Sequence, residues 1–193
     1  MPSDRYALGF DTSAAHCAAA LVCGERVLVA RAEEMGRGQA ERLMPLLEEV
    51  LAEAGIAWAD LSFIGVGTGP GNFTGIRISV SAARGLALGL GIEARGVSTF
   101  DAIRAHHSAA EGLRPAVPAP RDQVYVQTGE TAPEMAPLEA AGDITLPPDG
   151  AAWAVAIARV ALTGGGTCPA KPLYVKPADA APPSDPPPVI LDA

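Results

Sequence analysis

Two short stretches combine residue types that can do chemistry. The run GTGPGNFTG, 67–75, joins an apolar segment to a helix-forming one, and glycine-rich loops at such junctions often hold phosphate on backbone N–H groups. Two glycine fingerprints fail here. A dinucleotide loop needs a third glycine where Asn72 stands, and a mononucleotide loop needs Lys and then Ser or Thr where Ile76 and Arg77 follow Gly75. Two readings remain. Either an anion sits at the helix N-terminus, or Gly69, Pro70, Gly71, Thr74 and Gly75 form a sharp strand-to-helix turn whose backbone passes close to another segment. The second stretch is Asp11-Thr12-Ser13, an acid and two hydroxyls at the tip of a hairpin. It either faces a phosphate or a metal-bound water, as a degenerate phosphate loop, or closes the turn through its own side-chain hydrogen bonds.

Nothing else in the chain assembles into a catalytic set. His16, His106 and His107 are the only histidines; none has His-x-x-x-His spacing and no acid cluster adds ligands, so no metal centre is expected. Solvent-facing or capping roles suit them. Ser13 and Ser79 lack a neighbouring base, and no Gly-x-Ser-x-Gly elbow occurs. Cys17 and Cys23 share a strand face but lie roughly 20 Å apart, too far for a disulfide. With Cys168 they read as thiols of a reduced, cytoplasmic protein. The net charge of −8 argues against a direct grip on nucleic acid, which needs a basic face. The N-terminal residues lack a signal-peptide core. The apolar run from Ile78 to Leu90 is broken by Arg84 and too short to span a bilayer, so no membrane role is expected.

These residues must be positioned by a mixed α/β framework. Apolar runs at 6–11, 15–23 and 25–34 predict a three-stranded meander. Helical periodicity follows at 38–55, with Gly55 as terminator, then a short buried strand at 61–67 and a helix at 74–90 capped by Thr74. A strand at 92–97 and a helix from Ser98 or Thr99 to His106 complete an N-terminal lobe, residues 1–105. Most of the 18 prolines lie beyond residue 110, so residues 106–180 read as a shortened second lobe. It holds a strand near 122–129, a helix at 150–164 and a closing segment at 171–180. Residues 181–193 read as a proline-rich, disordered tail.

The helix at 74–90 is apolar nearly all round. Ile76, Val80, Ala83, Ala87 and Leu90 form one side, Ile78, Ala82 and Leu86 continue behind it, and Leu88 reaches the opposite flank. Its only charges, Arg77 and Arg84, lie seven apart on one stripe with Ser81 between them. A helix of this kind needs cover on both sides, and one small sheet supplies only one. Ser81 and Gly85 are small enough to admit another helix. The helix before it offers Leu43, Met44 and Leu47 for the same contact. Its Glu41 and Glu48 match the arginine spacing, for pairing within the chain or across an interface. Either the second lobe covers the helix at 74–90, or a second molecule does.

The stretches LGFDTSAAHCAAALV, GQAERLMPLLEEVLAEAG and GVGTGPGNFTGIRISVSAARGLALGLG, followed by GVSTFDAI, resemble in order and spacing the bacterial TsaB (YeaZ) family. The resemblance spans about the first 105 residues, with a weaker echo at PLYVKPADA around Lys176. It implies the two-lobed actin/Hsp70/sugar-kinase-like (ASKHA) fold. It also implies a role in making tRNA threonylcarbamoyladenosine, as a non-catalytic companion of a TsaD-type catalytic subunit, with a TsaE-type ATPase in the assembly. In the family the contact is a helical bundle, here residues 39–54 and 74–90, and the same surface forms a homodimer when the protein is alone; tRNA contact is indirect. The expected cofactor is none in the isolated chain, with ATP or ADP confined to the heteromeric interface. A second phosphate loop of Asp-x-Gly-Gly-Thr kind is missing, since no acid precedes Gly164-Gly165-Gly166. The chain departs from the family in its short second lobe and in Gln39-Ala40, where relatives often carry histidine. The alternative of another class is a small self-sufficient ATP-using, kinase-like enzyme of the same superfamily.

Overall fold

Strands as apolar as YALGFD and HCAAALVC have to be covered on both faces. In the computed structural model, which describes residues 5–107, 114–129 and 131–175, they are the two buried strands β1 (Tyr6–Asp11) and β2 (His16–Cys23). β3 (Arg26–Glu34) pairs with β2 at the edge, largely exposed. β4 (Leu61–Gly67) and β5 (Glu93–Val97) extend the sheet on the other side, giving the order β3-β2-β1-β4-β5. The meander is antiparallel, while β1, β4 and β5 run parallel.

Side-chain alternation sorts the two faces. Leu8, Phe10, Ile64 and Val66 point into the main core beneath α1 (Gln39–Ala54) and α2 (Phe73–Leu90). Ala7 and Ala20 turn the other way, against α4 (Gly150–Leu162). Around Gly9, Gly65, Ala18 and Ala20 that second face carries almost no side chain, with Val22, Phe63 and Val97 toward its margins. A Cβ on Gly9 would lie 2.5 Å from the Ala158 nitrogen, and one on Gly65 would lie 2.9 Å from the Ile157 oxygen. The alanine-rich α4 therefore rests on the sheet at backbone distance.

The expected boundary at residue 105 is corrected in this respect. α4 falls in the stretch assigned to the second lobe, yet it packs on the five-stranded sheet and on α3. What remains of that lobe is a three-stranded sheet of β6 (Ala116–Ala119), β7 (Gln123–Val126) and β8 (Glu134–Pro137) over a small core of its own. Of these only β7 falls on an expected strand. α3 (Thr99–His107) bridges the two parts, bonding Ser98 Oγ to the Asp101 N–H at its start. The helix expected to begin at Thr74 begins at Phe73, because the Asn72 side chain accepts the Gly75 N–H and so caps it. The tail at 181–193 and Lys176 lie outside the described residues. Among the described residues no helix is long and apolar enough to cross a membrane.

Candidate functional site

α1 and α2 lie side by side on one face of the sheet, and each divides its residues by the same 100° rule. On α1 the sheet side carries Leu43, Leu46, Leu47, Val50 and Leu51, all buried. Leu43 and Leu47, expected at the interface, are thus core residues, buried with Leu46 and Val50 where α1 packs on β2 and β3. Met44 alone of the three named leucine and methionine positions is open, at 37% exposure. On α2 the sheet takes Ile76, Ser79, Val80, Ala83 and Ala87. The outward side keeps Arg77, Ser81, Arg84, Gly85 and Leu88 exposed, with Leu88 at 86%.

Nothing among the described residues lies over that outward stripe except at its N-terminal end. There the Tyr174 ring sits 5.0 Å from Phe73, Arg77 stacks 4.0 Å over Phe73, and the Arg77 Nε–H donates to the Tyr174 hydroxyl at 3.1 Å. Gly85 and Gly89 have open space where a Cβ would stand. The second sheet nears this helix at Phe73, across a cavity lined also by Val117 and Tyr125. Arg77 and Arg84 form no ion pair with Glu41 or Glu48; the α1 network uses Arg42 instead, held by Glu33 of β3 and by Glu49. The Arg42 guanidinium holds both carboxylates below their ordinary range, and they in turn raise the guanidinium. The face is a ridge of small and apolar groups flanked by two arginines, suited to another helix.

The glycine run beneath α2 is accounted for by close approach. A Cβ on Gly75 would stand 1.9 Å from the Thr12 oxygen, and one on Gly71 would stand 2.6 Å from the Ser13 oxygen. Gly69 adopts φ 91° against Ile76, and the Gly69–Pro70 bond is cis. The Asn72 N–H donates to the Ser13 carbonyl at 2.6 Å, and Thr12 Oγ1 donates to the Gly75 carbonyl at 2.6 Å. The β1–β2 turn is thereby clamped to the start of α2.

Asp11, Thr12 and Ser13 are all buried. Asp11 Oδ1 accepts the Ser13 N–H and the Ser13 hydroxyl, so the acid closes its own turn. The same oxygen lies 3.0 Å from His16 Nε2. This corrects the expectation for His16: its side chain is 10% exposed and engages a buried carboxylate instead of solvent. The signal was available, since Asp11 and His16 flank a four-residue turn on adjacent antiparallel strands. Asp11 Oδ2 is buried against Gly67 without a partner. His106 and His107 end α3 in the open. Cys17 and Cys23 are buried and Cys168 is exposed, and burial pushes the Cys17 thiol up to about 11. Among the described residues no group of three or more His, Cys, Asp or Glu forms a metal site.

Comparison with known proteins bears on this geometry. The family described as TsaD: tRNA N6-adenosine threonylcarbamoyltransferase matches residues 32–149, more than half of the chain. The tRNA threonylcarbamoyladenosine biosynthesis protein TsaB of Buchnera aphidicola is 36% identical over 96 residues, covering 50% of this chain and 45% of that protein. TsaB of Bacillus subtilis is 34% identical over 119 residues, 61% of this chain and 52% of that one. The chain thus spans about half the length of the curated relatives it matches. Among solved structures, YeaZ from Pseudomonas aeruginosa superposes with a TM-score of 0.71 at 27% identity, over 88% of this chain and 99% of that one. The architecture is a mixed-sheet α/β fold shared with this YeaZ structure.

Proposed function

The chain belongs to the TsaD family, tRNA N6-adenosine threonylcarbamoyltransferase, and is TsaB/YeaZ-like, and on that premise we propose that it is an accessory, non-catalytic subunit in the biosynthesis of tRNA threonylcarbamoyladenosine. It binds a TsaD-type catalytic subunit through the outward face of α1 and α2, in an assembly completed by a TsaE-type ATPase. When alone it uses the same face to form a homodimer. The observation that carries this is Leu88, 86% exposed at the centre of a ridge of Ser81, Gly85 and Gly89, since a large apolar side chain so placed gains most by being covered.

Two further features support a non-catalytic role. Asp11 is bonded to His16 and Ser13, and the glycines that would otherwise admit a phosphate are packed against Thr12 and Ser13. A nucleotide, on this reading, binds only where the partner completes a site. The net charge of −8 leaves tRNA contact to the other subunits, and the cytoplasm is the working compartment.

Leu88→Glu and Gly85→Arg test the reading by co-expression with the TsaD-type partner and size-exclusion chromatography. Covering Leu88 stabilises the complex by about 1.5–3 kcal/mol, and placing a carboxylate there adds a desolvation cost. Leu88→Glu is therefore expected to weaken assembly by about 100-fold while leaving the monomer's melting temperature unchanged. A wild-type chain that never co-elutes, or variants that co-elute as well as wild type, would refute it. The alternative, a self-sufficient kinase-like enzyme, draws on the unbonded Asp11 Oδ2. Micromolar ATP binding with turnover by the isolated chain would establish it instead.

A further inference from the structure

Trp153 is 6% exposed, and its indole N–H is buried with no acceptor among the described residues. A buried donor left unpaired costs more than an ordinary hydrogen bond returns, so an acceptor that reaches it is held. Trp153 lines a cleft of about 670 Å³ between the first sheet and the second. Phe73, Tyr125 and Leu146 share its walls, and Asn72, whose side-chain oxygen caps α2, adds an amide N–H group to the lining.

No lysine or arginine lines the cleft, and Asp149 stands on its margin, so an anionic acceptor finds no counter-charge there. The occupant that suits it is neutral, apolar in body and rich in acceptors. A run of prolines has that character. Each residue presents a carbonyl and has no N–H to satisfy, and such segments dock in aromatic-lined grooves. The sequence carries one in PPSDPPP, 182–188, outside the described residues. The described part of the chain stops at Val175, one residue past Tyr174, whose ring stands 5.0 Å from that of Phe73 on the cleft wall. From Val175 to Pro186 is eleven residues, up to about 34 Å of extended chain, so the run starts beside the cleft and has the length to enter it.

We propose that residues 186–188 of this chain occupy the cleft, with a prolyl carbonyl accepting the Trp153 indole N–H and the rings lying among Phe73, Tyr125 and Leu146. The cleft adjoins the first turn of α2 but not the ridge of Ser81, Gly85 and Leu88, so the proposal does not depend on what that ridge binds.

The test compares the full chain with its Pro186→Gly, Pro187→Gly, Pro188→Gly triple variant, which leaves every described residue as it is. A synthetic peptide, APPSDPPPVILDA, is titrated into each, and the Trp153 indole N–H is read by NMR against that of Trp58. The peptide is expected to saturate the triple variant near about 0.1 mM. Tethering gives the native run an effective concentration on the order of 1 mM, about ten times that constant. Wild type is therefore expected to bind added peptide about tenfold more weakly, and its Trp153 indole proton to resonate downfield of that in the triple variant, with Trp58 unmoved. Trp153→Phe in the triple variant keeps an aromatic wall, removes the donor and is expected to weaken the peptide about fivefold. Equal affinity for wild type and triple variant would overturn the proposal and leave the cleft to another chain's proline-rich segment. No binding to either, a Trp153 signal identical in the two proteins, or affinity unmoved by Trp153→Phe would overturn it too, and all but the last stand even if that protein does not fold.

Discussion

Replacing Gly75 and Gly85 by alanine, two glycines ten residues apart in one helix, should move stability in opposite directions. At Gly75 the new methyl would stand 1.9 Å from the Thr12 carbonyl oxygen and 2.8 Å from its carbon. Both are backbone atoms, so no side-chain rotation relieves the clash, and roughly 1.5 Å of separation has to be found by moving the β1–β2 turn away from α2. That movement breaks the Thr12-to-Gly75 and Asn72-to-Ser13 hydrogen bonds, each 2.6 Å long. Crowding costs about 1–3 kcal/mol and each lost bond about 1 kcal/mol, against about 1 kcal/mol returned by alanine's helix preference. The net loss is about 2–4 kcal/mol. Gly85 has nothing within 4 Å of its missing Cβ, so there alanine brings only the helix preference, a gain of about 1 kcal/mol. For a chain of this size the thermal midpoint shifts about 2–4 °C per kcal/mol. Calorimetry is therefore expected to show Gly75→Ala melting about 5–15 °C low and Gly85→Ala about 2–4 °C high, at two concentrations to separate dimerisation from folding. A Gly75→Ala protein as stable as wild type would refute close approach as the reason for that glycine. A Gly85→Ala protein destabilised equally at both concentrations would mean the face of α2 is covered within the single chain.

Thiol reactivity should divide by burial: at pH 8 iodoacetamide modifies the exposed Cys168 within minutes, whereas Cys17, buried and pushed up to about 11, reacts only after denaturation. Mass mapping that finds both modified at similar rates contradicts this. The Arg42 clamp predicts a pH dependence. Glu33 and Glu49 are held below the ordinary 4.5, so their contribution is fully present above that value and is lost as pH falls through their lower folded values. The gap in melting temperature between wild type and Arg42→Gln should be small at pH 7, since the groups lie at the surface and are only partly covered, and should close by about pH 3; a gap that stays constant rules the clamp out as its source.

Much of the framework was legible in the residues themselves. The helix at 39–54, the strand at 61–67 and the all-round apolarity of 74–90 are written in local periodicity, and the glycines at 69, 71 and 75 announced a tight passage without saying what passes. What crosses the last two, Thr12 and Ser13, lies some sixty residues away, and such long-range neighbours leave no local trace. The same reason hid the pairing of His16 with Asp11, whose spacing becomes contact only once the hairpin closes. It also made Leu43 and Leu47 look like interface residues, because a wide apolar stripe does not say which of its edges faces the sheet.

The amino-acid order alone therefore determined which segments of the first sheet and its helices are strand or helix, though not β6 and β8, and that α2 carries more apolar surface than one sheet can cover. Tertiary structure decided where the cover falls. α4 comes back to seal the opposite face of the sheet, because the glycines and alanines at its centre admit a helix at backbone distance, and the outward side of α2 stays open beyond its first turn, where Tyr174 is the described residue that reaches it.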